Sequence, residues 1–156
     1  MEKKSEIVDV QTLPLVAGFS WSVGFLMERF IRSLAKRELL AARCPACAYT
    51  YVPPRSRCGK CHARIQEEDL IPISGKGTVI GHTTAFVSLD GQGNLSDVKV
   101  PGIIGAIKFD KADSTVFLAI EGVSPDDVKE GMNVEIQWRK QTKGELADIQ
   151  CVKPVR

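Results

Sequence analysis

Four cysteines stand in two matched pairs, Cys44-Pro45-Ala46-Cys47 and Cys58-Gly59-Lys60-Cys61, with ten residues between them. Two Cys-x-x-Cys turns set four thiolates at the corners of a tetrahedron, about 2.3 Å from a zinc ion. The spacing therefore predicts a bound metal with Cys44, Cys47, Cys58 and Cys61 as its ligands. Zinc is the common occupant of a four-thiolate site, and iron is the other candidate. Four protein ligands close the coordination sphere and leave no position for water or substrate, so the metal is expected to be structural. A module of about 20 residues has almost no core, and metal binding supplies its folding free energy, on the order of 10–16 kcal/mol in small zinc peptides. His62 follows a ligand set that is already full and reads as a surface or neighbouring residue. The fifth cysteine, Cys151, reads as a buried thiol in a strand.

Little else in the chain has the residue types for a reaction. The second histidine, His82, lies in the strand-like run Gly81-His82-Thr83-Thr84. No Ser/His or Cys/His arrangement supports nucleophilic catalysis. Gly75-Lys76-Gly77 and Gly91-Gln92-Gly93 are short turns, too weak for phosphate loops. Asp126 and Asp127 follow Pro125 as the start of one helical turn rather than as an acid/base pair. No active site belonging to this chain is expected.

The elements that must carry the metal module come next. Residues 1–21 read as extended, since Pro14 and Gly18 prevent a helix. From about Ser22 to Leu40, Val23, Leu26, Met27, Phe30, Ile31 and Leu34 recur at three- and four-residue spacing, as in an amphipathic helix. Beyond the cysteines, strand runs are expected at 69–74, 78–88, 102–109, 115–120, 132–138 and 146–152, broken by turn residues such as Asp90 to Asn94. Several short strands without a βαβ rhythm predict a small closed antiparallel barrel. The fold class is thus mainly β: an extended segment and a helix in 1–40, a zinc ribbon in 41–68 and a small antiparallel barrel in 69–156.

Charge divides the 156 residues unevenly. Residues 29–64 hold nine basic side chains against one acidic, whereas residues 65–156 hold ten basic against fourteen acidic. The basic front suits an anionic partner. Residues 10–27 carry no charge, but Pro14, Gly18 and Gly24 interrupt a run that a spanning helix needs apolar for about 20 residues. No transmembrane helix is expected, and a cytoplasmic protein is.

The ordered set of a leading helix, Cys-Pro-x-Cys, Pro53-Pro54-Arg55 and Cys-x-x-Cys resembles the rubredoxin-like zinc ribbon of the zinc-ribbon/OB-fold accessory proteins. Ser74 to Val79, Pro101 to Ile107, Glu121 to Val123 and Lys129 to Glu135 are similar to the barrel segments of that family, which implies that the barrel in 69–156 is an OB-fold. The resemblance spans roughly residues 25–152. It implies a cytoplasmic, non-catalytic subunit that assembles with thiolase-like or related acyl-CoA enzymes and contacts the CoA moiety. Such pathways include isoprenoid synthesis, steroid degradation and anaerobic breakdown of aromatics. In that setting Arg43, Arg55, Arg57 and Lys60 are candidates for the CoA phosphates, because arginine offers planar paired donors to phosphate. Phe19, Trp21, Phe25, Leu26 and Phe30 are candidates for docking the enzyme, as an apolar load ahead of a module too small to bury it. The alternative is a single-stranded nucleic-acid-binding ribbon/OB protein. It is disfavoured by aromatics at only 6 % and by the acidic barrel half, since such sites stack bases on exposed rings in a basic groove.

Overall fold

The computed structural model describes residues 22–89 and 93–155. Phe19, Trp21 and the extended reading of residues 1–21 lie outside the described residues. A helix α1 (Phe25–Leu34) is followed by strands β1 (Leu39–Arg43), β2 (Thr50–Tyr51), β3 (Leu70–Ile73), β4 (Lys76–Leu89), β5 (Leu95–Phe109), β6 (Val116–Ile120), β7 (Asn133–Trp138) and β8 (Ile149–Pro154). Among the described residues, no helix is long and apolar enough to cross a membrane.

The helix ends earlier than its apolar spacing predicts, and Leu39 and Leu40 belong to a strand. Arg37 takes a left-handed conformation, with φ of 58°. The Glu38 N–H then donates back to the Ser33 carbonyl at 3.2 Å. That closes the helix as a Schellman turn does, with arginine where glycine is usual. The Ser33 hydroxyl, 2.7 Å from the Phe30 carbonyl and 2.9 Å from the Glu38 carbonyl, secures both sides of the reversal.

β1 is the centre of a three-stranded sheet ordered β2-β1-β3, with antiparallel pairing on both sides. β3, which falls in the segment read as barrel, is therefore the third strand of the ribbon sheet. β4 to β8 form the closed barrel β4-β5-β6-β8-β7. Its pairings are antiparallel except at the seam, where Ile120 of β6 meets Val152 of β8 in parallel. Inward positions Val79, Ile103, Ile107, Ile120, Val134, Ile136 and Val152 are buried. Two glycines are fixed by close approach: a Cβ on Gly77 would lie 2.6 Å from the Lys108 carbonyl oxygen, and one on Gly105 would lie 2.5 Å from Ile120 Cδ1.

Three contacts join the ribbon to the barrel. First, α1 divides its apolar face, with Leu26 in a cluster with Cys44, Tyr51, Cys58 and Ile65. Phe30 and Leu34 enter the barrel core with Val79, Ile107 and Val134. Second, the turn between β5 and β6 clamps the edge of β2. The Asp113 carboxylate accepts the Thr50 N–H at 2.9 Å, and the Ser114 hydroxyl accepts the Val52 N–H at 2.7 Å. The Thr50 carbonyl accepts in return from the Asp113 and Ser114 N–H groups. Third, the loop between β7 and β8 holds the end of α1, where the Thr142 hydroxyl donates to the Ala35 carbonyl at 2.7 Å. That loop winds around a buried carboxylate, Asp148, which accepts backbone N–H groups of Lys143, Gly144 and Glu145 at 2.7–3.1 Å.

Because α1 sits in both clusters, Leu34→Ala should destabilise ribbon and barrel together. A loss of about 3 kcal/mol is expected for a fully buried leucine, in one cooperative urea transition read by far-UV circular dichroism and tyrosine fluorescence. Burial works to raise the Asp148 pKa, but the Glu145, Gly144 and Lys143 N–H groups outweigh it and hold the carboxyl below its usual value. Its contribution is then fully present above the unfolded pKa, about 3.9, and is lost as pH falls through the lower folded value. Asp148→Asn should lower Tm at neutral pH and flatten the fall of Tm below about pH 4, measured by scanning calorimetry across pH.

Candidate metal centre and its cationic flank

The two cysteine turns repeat one another bond for bond. The Ala48 N–H donates to the Cys44 carbonyl at 2.8 Å, as the His62 N–H does to Cys58 at 3.0 Å. The Cys44 N–H donates to the Tyr49 carbonyl at 2.9 Å, as the Cys58 N–H does to Ala63 at 3.0 Å. Each turn needs a left-handed residue four positions after its first cysteine, Ala48 at φ 60° and His62 at φ 61°. His62 thus has a backbone role, and its side chain is exposed.

Together the turns bring all four Sγ atoms within 4.8 Å of one another. Cys44 and Cys61 are 3.5 Å apart, and Cys47 and Cys58 are 3.6 Å apart. A regular tetrahedron with arms of about 2.3 Å has edges of about 3.8 Å, so the sulfurs are set for a four-coordinate ion. They are well beyond the ~2.05 Å of a disulfide. Cys44 and Cys58 are buried, Cys47 is half-buried and Cys61 is exposed. The donor set fits structural zinc, held by Cys44, Cys47, Cys58 and Cys61.

Tyr51 tunes this set. Its hydroxyl oxygen accepts the Gly59 N–H at 2.9 Å and lies 3.3 Å from Cys58 Sγ, leaving the hydroxyl proton to point at the sulfur. The Tyr51 hydroxyl first, then the Cys61 and Lys60 N–H groups, bring the Cys58 thiol down to about 5 against the opposing effect of burial. That favours the thiolate a metal requires.

The candidate phosphate contacts all carry exposed side chains, but not in one place. Arg55 and Arg57 line the same cleft beside Cys58 and Gly59, with Lys60 next in the chain. The Arg55 guanidinium stacks over the Tyr51 ring at 5.0 Å, and Arg57 Nη1 donates to the His62 carbonyl at 3.2 Å. Arg43 is not brought to them; it lines a separate cleft with Glu68 and Asp69. A larger cleft of about 560 Å³ opens beside Arg55, lined by Val23, Phe25, Met27, Pro53 and Pro54 among others. Of the candidate docking residues described, Phe25 is exposed, under Arg29 at 5.0 Å. Leu26 and Phe30 are buried inside this chain.

His82 is exposed on β4 and Cys151 is buried. Phe86 and Phe117 are the exposed aromatics among the described barrel residues. The β7–β8 loop, one of the loops that flank nucleic acid in OB-folds, is held against α1. Residues that the sequence did not single out are Asp113 and Ser114, which lock the ribbon edge, and the hydroxyl of Tyr51. Nothing in the chain order shows that the ring end of Tyr51 meets a ligand sulfur.

Comparison with known proteins gives two family matches. Residues 32–66 match "ChsH2, rubredoxin-like zinc ribbon domain", and residues 70–139 match "ChsH2, C-terminal OB-fold domain". A "DUF35 domain-containing scaffold protein" of Methanocaldococcus jannaschii is 29 % identical over 102 residues, 65 % of this chain and 68 % of the relative. The solved "Ltp2-ChsH2(DUF35) aldolase" contains a chain that is similar with a TM-score of 0.59 and 16 % identity, over 86 % of this chain and 98 % of that one. A DUF35-family protein of unknown function from Sulfolobus solfataricus is similar with a TM-score of 0.59 and 23 % identity, over 82 % and 84 %. At those identities the two structures speak for the fold.

Cys44→Ser should unfold the ribbon and release the metal, since losing one ligand removes much of the metal-linked folding energy. Tyr51→Phe should keep the fold and lower zinc affinity by about 10–100-fold, the usual cost of losing a group that supports a metal ligand. Competition with a chromophoric chelator measures both. Tyr51→Phe affinity equal to wild type would mean that the hydroxyl does not support Cys58.

Proposed function

The chain belongs to the ChsH2 family of rubredoxin-like zinc ribbon and OB-fold proteins, and from that premise we propose that it is the non-catalytic subunit of a thiolase-type acyl-CoA enzyme complex. Its task is to complete the enzyme's CoA-binding surface. The observation that carries the reading is the pairing of two exposed arginines, Arg55 and Arg57, with a cleft of about 560 Å³ beside them whose lining mixes polar and apolar groups. CoA is a molecule of that kind, with phosphates at one end and a long, weakly polar thioester arm at the other. A guanidinium on a rigid turn forms charge-assisted paired hydrogen bonds to phosphate. Here the turn is made rigid by the metal, and Tyr51 supports both the Arg55 guanidinium and Cys58.

Two further observations support a subunit without chemistry of its own. The metal ligand set is closed, so the ion offers substrate no coordination position. The described residues also offer no activated nucleophile: His82 is exposed on a strand, and Cys151 is buried, where burial first and then the neighbouring Glu121 carboxylate push its thiol up, away from the reactive thiolate. The names of two relatives, a scaffold protein and an aldolase complex, point the same way. In this reading Arg55, Arg57 and Lys60 meet the phosphates, and Arg43, which lines a different cleft, does not.

Arg55→Glu with Arg57→Glu, made in the assembled complex, should raise KM for the acyl-CoA substrate by about 10–100-fold, as expected for losing charge-assisted contacts. The enzyme's kcat and the subunit stoichiometry should be nearly unchanged. Steady-state kinetics at constant salt checks this. An unmoved KM in an intact complex would remove CoA from the ribbon.

A further inference from the structure

α1 buries Leu26, Phe30 and Leu34 within the chain and leaves Val23 and Phe25 exposed at its start. A larger exposed apolar surface lies on the barrel. The ladders of β4, β5 and β6 set Gly81 opposite Ala106 and Phe117, Thr83 opposite Ile104 and Ala119, and Ala85 opposite Gly102. Opposed residues share a face, and residues two apart along a strand stay on it. These positions therefore form one outward face, and the alternate residues Ile103, Ile107 and Ile120 fill the core. None of the eight outward residues is charged, in a chain that is 26 % charged. Small residues make its floor, and Ile104 and Phe117 stand above it. Ile80, in the register shift between Val79 and Gly81, adds to them.

β4 and β5 then continue past the barrel as a two-stranded arm. β6 pairs with β5 only from Ile103 to Ile107, and β7 pairs with β4 only from Lys76 to Thr78. The arm carries apolar side chains on both sides: Val87 and Leu95, with Asp97, lie on the side that continues the outward face, and Phe86, with the paired Ser88 and Ser96, lies on the other. Ile80, Phe86, Leu95, Val100, Ile104 and Phe117 are between 41 % and 80 % exposed. At about 200 Å² for a whole large apolar side chain, they expose on the order of 700 Å². Without Phe86, on the other side of the arm, about 600 Å² remains, at the top of the roughly 300–600 Å² of the largest patch on a typical monomer and approaching the ~800 Å² per partner of a stable interface.

We propose that the outward face of β4-β5-β6 and the β4–β5 arm form the docking surface for the enzyme subunit, which meets them with an uncharged apolar face and a groove for the arm. The inference rests on the reading of this chain as an enzyme subunit. The area argues for a full protein interface, and the lack of charge on the barrel face argues for one that stays assembled, since the cores of permanent interfaces are depleted of charged residues. A second copy fits less well. An arm with apolar side chains on both sides needs a groove, and the clefts described above lie along α1 and the ribbon.

The test uses the purified full chain and the acyl-CoA enzyme subunit that co-purifies with it, with affinity measured by calorimetry. Ile104→Asp with Phe117→Asp should weaken binding at least about 100-fold, as expected for two central apolar anchors, while zinc content and Tm stay at wild-type values. Leu95→Ser with Val100→Ser should weaken it by about tenfold or more. Leu146→Asp, an exposed leucine on the β7–β8 loop, should change it less than threefold. Wild-type affinity in both double variants overturns the inference and leaves the subunit reading standing. A wild-type chain that dimerises alone and becomes monomeric as Ile104→Asp with Phe117→Asp assigns the face to a second copy and also overturns it. A wild-type chain that binds no acyl-CoA enzyme subunit overturns the subunit reading itself.

Discussion

The convergence of four sulfurs on one point is the constraint on which the rest depends. The cluster beneath the ribbon consists of Leu26, Ala42, Cys44, Tyr51, Cys58 and Ile65, and two of these six are metal ligands. So small a core cannot offset the chain entropy of the two turns, so the metal–thiolate bonds have to do so. Once the turns are fixed, the side chains on them have fixed places. Tyr51 reaches the Cys58 sulfur, and Arg55 lies on the Tyr51 ring. The cationic flank is thus positioned by the metal, although none of its members touches the ion.

Orientation of that flank relative to the barrel is a second, independent matter. A metal module on a flexible tether would present its arginines anywhere. Here α1 contributes side chains to both cores, and the β5–β6 turn pairs with the ribbon's open edge through Asp113 and Ser114. An edge strand covered in this way neither pairs with foreign strands nor swings. The barrel's own free surface, the uncharged face of β4-β5-β6 and the arm beyond it, lies on other strands, so one rigid body carries a cationic cleft and an apolar face. That division suits a subunit which works by position rather than by bond-making.

The metal ligands and the sequence of strands were legible because their signals are local. Two Cys-x-x-Cys turns define a site without reference to the rest of the chain, and apolar runs between turn residues define strands. The end of α1 was hidden because the residue that reverses the chain is Arg37, with no glycine to mark it, and Leu39 and Leu40 continue an apolar pattern that suits helix or strand. β3 joins the ribbon sheet through pairing with β1, a contact that no local pattern announces. Asp113 and Ser114 read as ordinary turn residues; their function is set by Thr50 and Val52, more than 60 positions away. For the same reason Leu26 and Phe30 read as candidates for a partner surface, when the barrel and ribbon that cover them come later in the chain.

Native mass spectrometry of the chain isolated from its own cells, under gentle salt, tests the central claim most directly. The expected result is a single assembly containing this chain, its zinc and an acyl-CoA enzyme subunit in fixed ratio, from which neither protein dissociates at low collision energy. A chain recovered alone, or bound to nucleic acid in a salt-dependent manner, would contradict it.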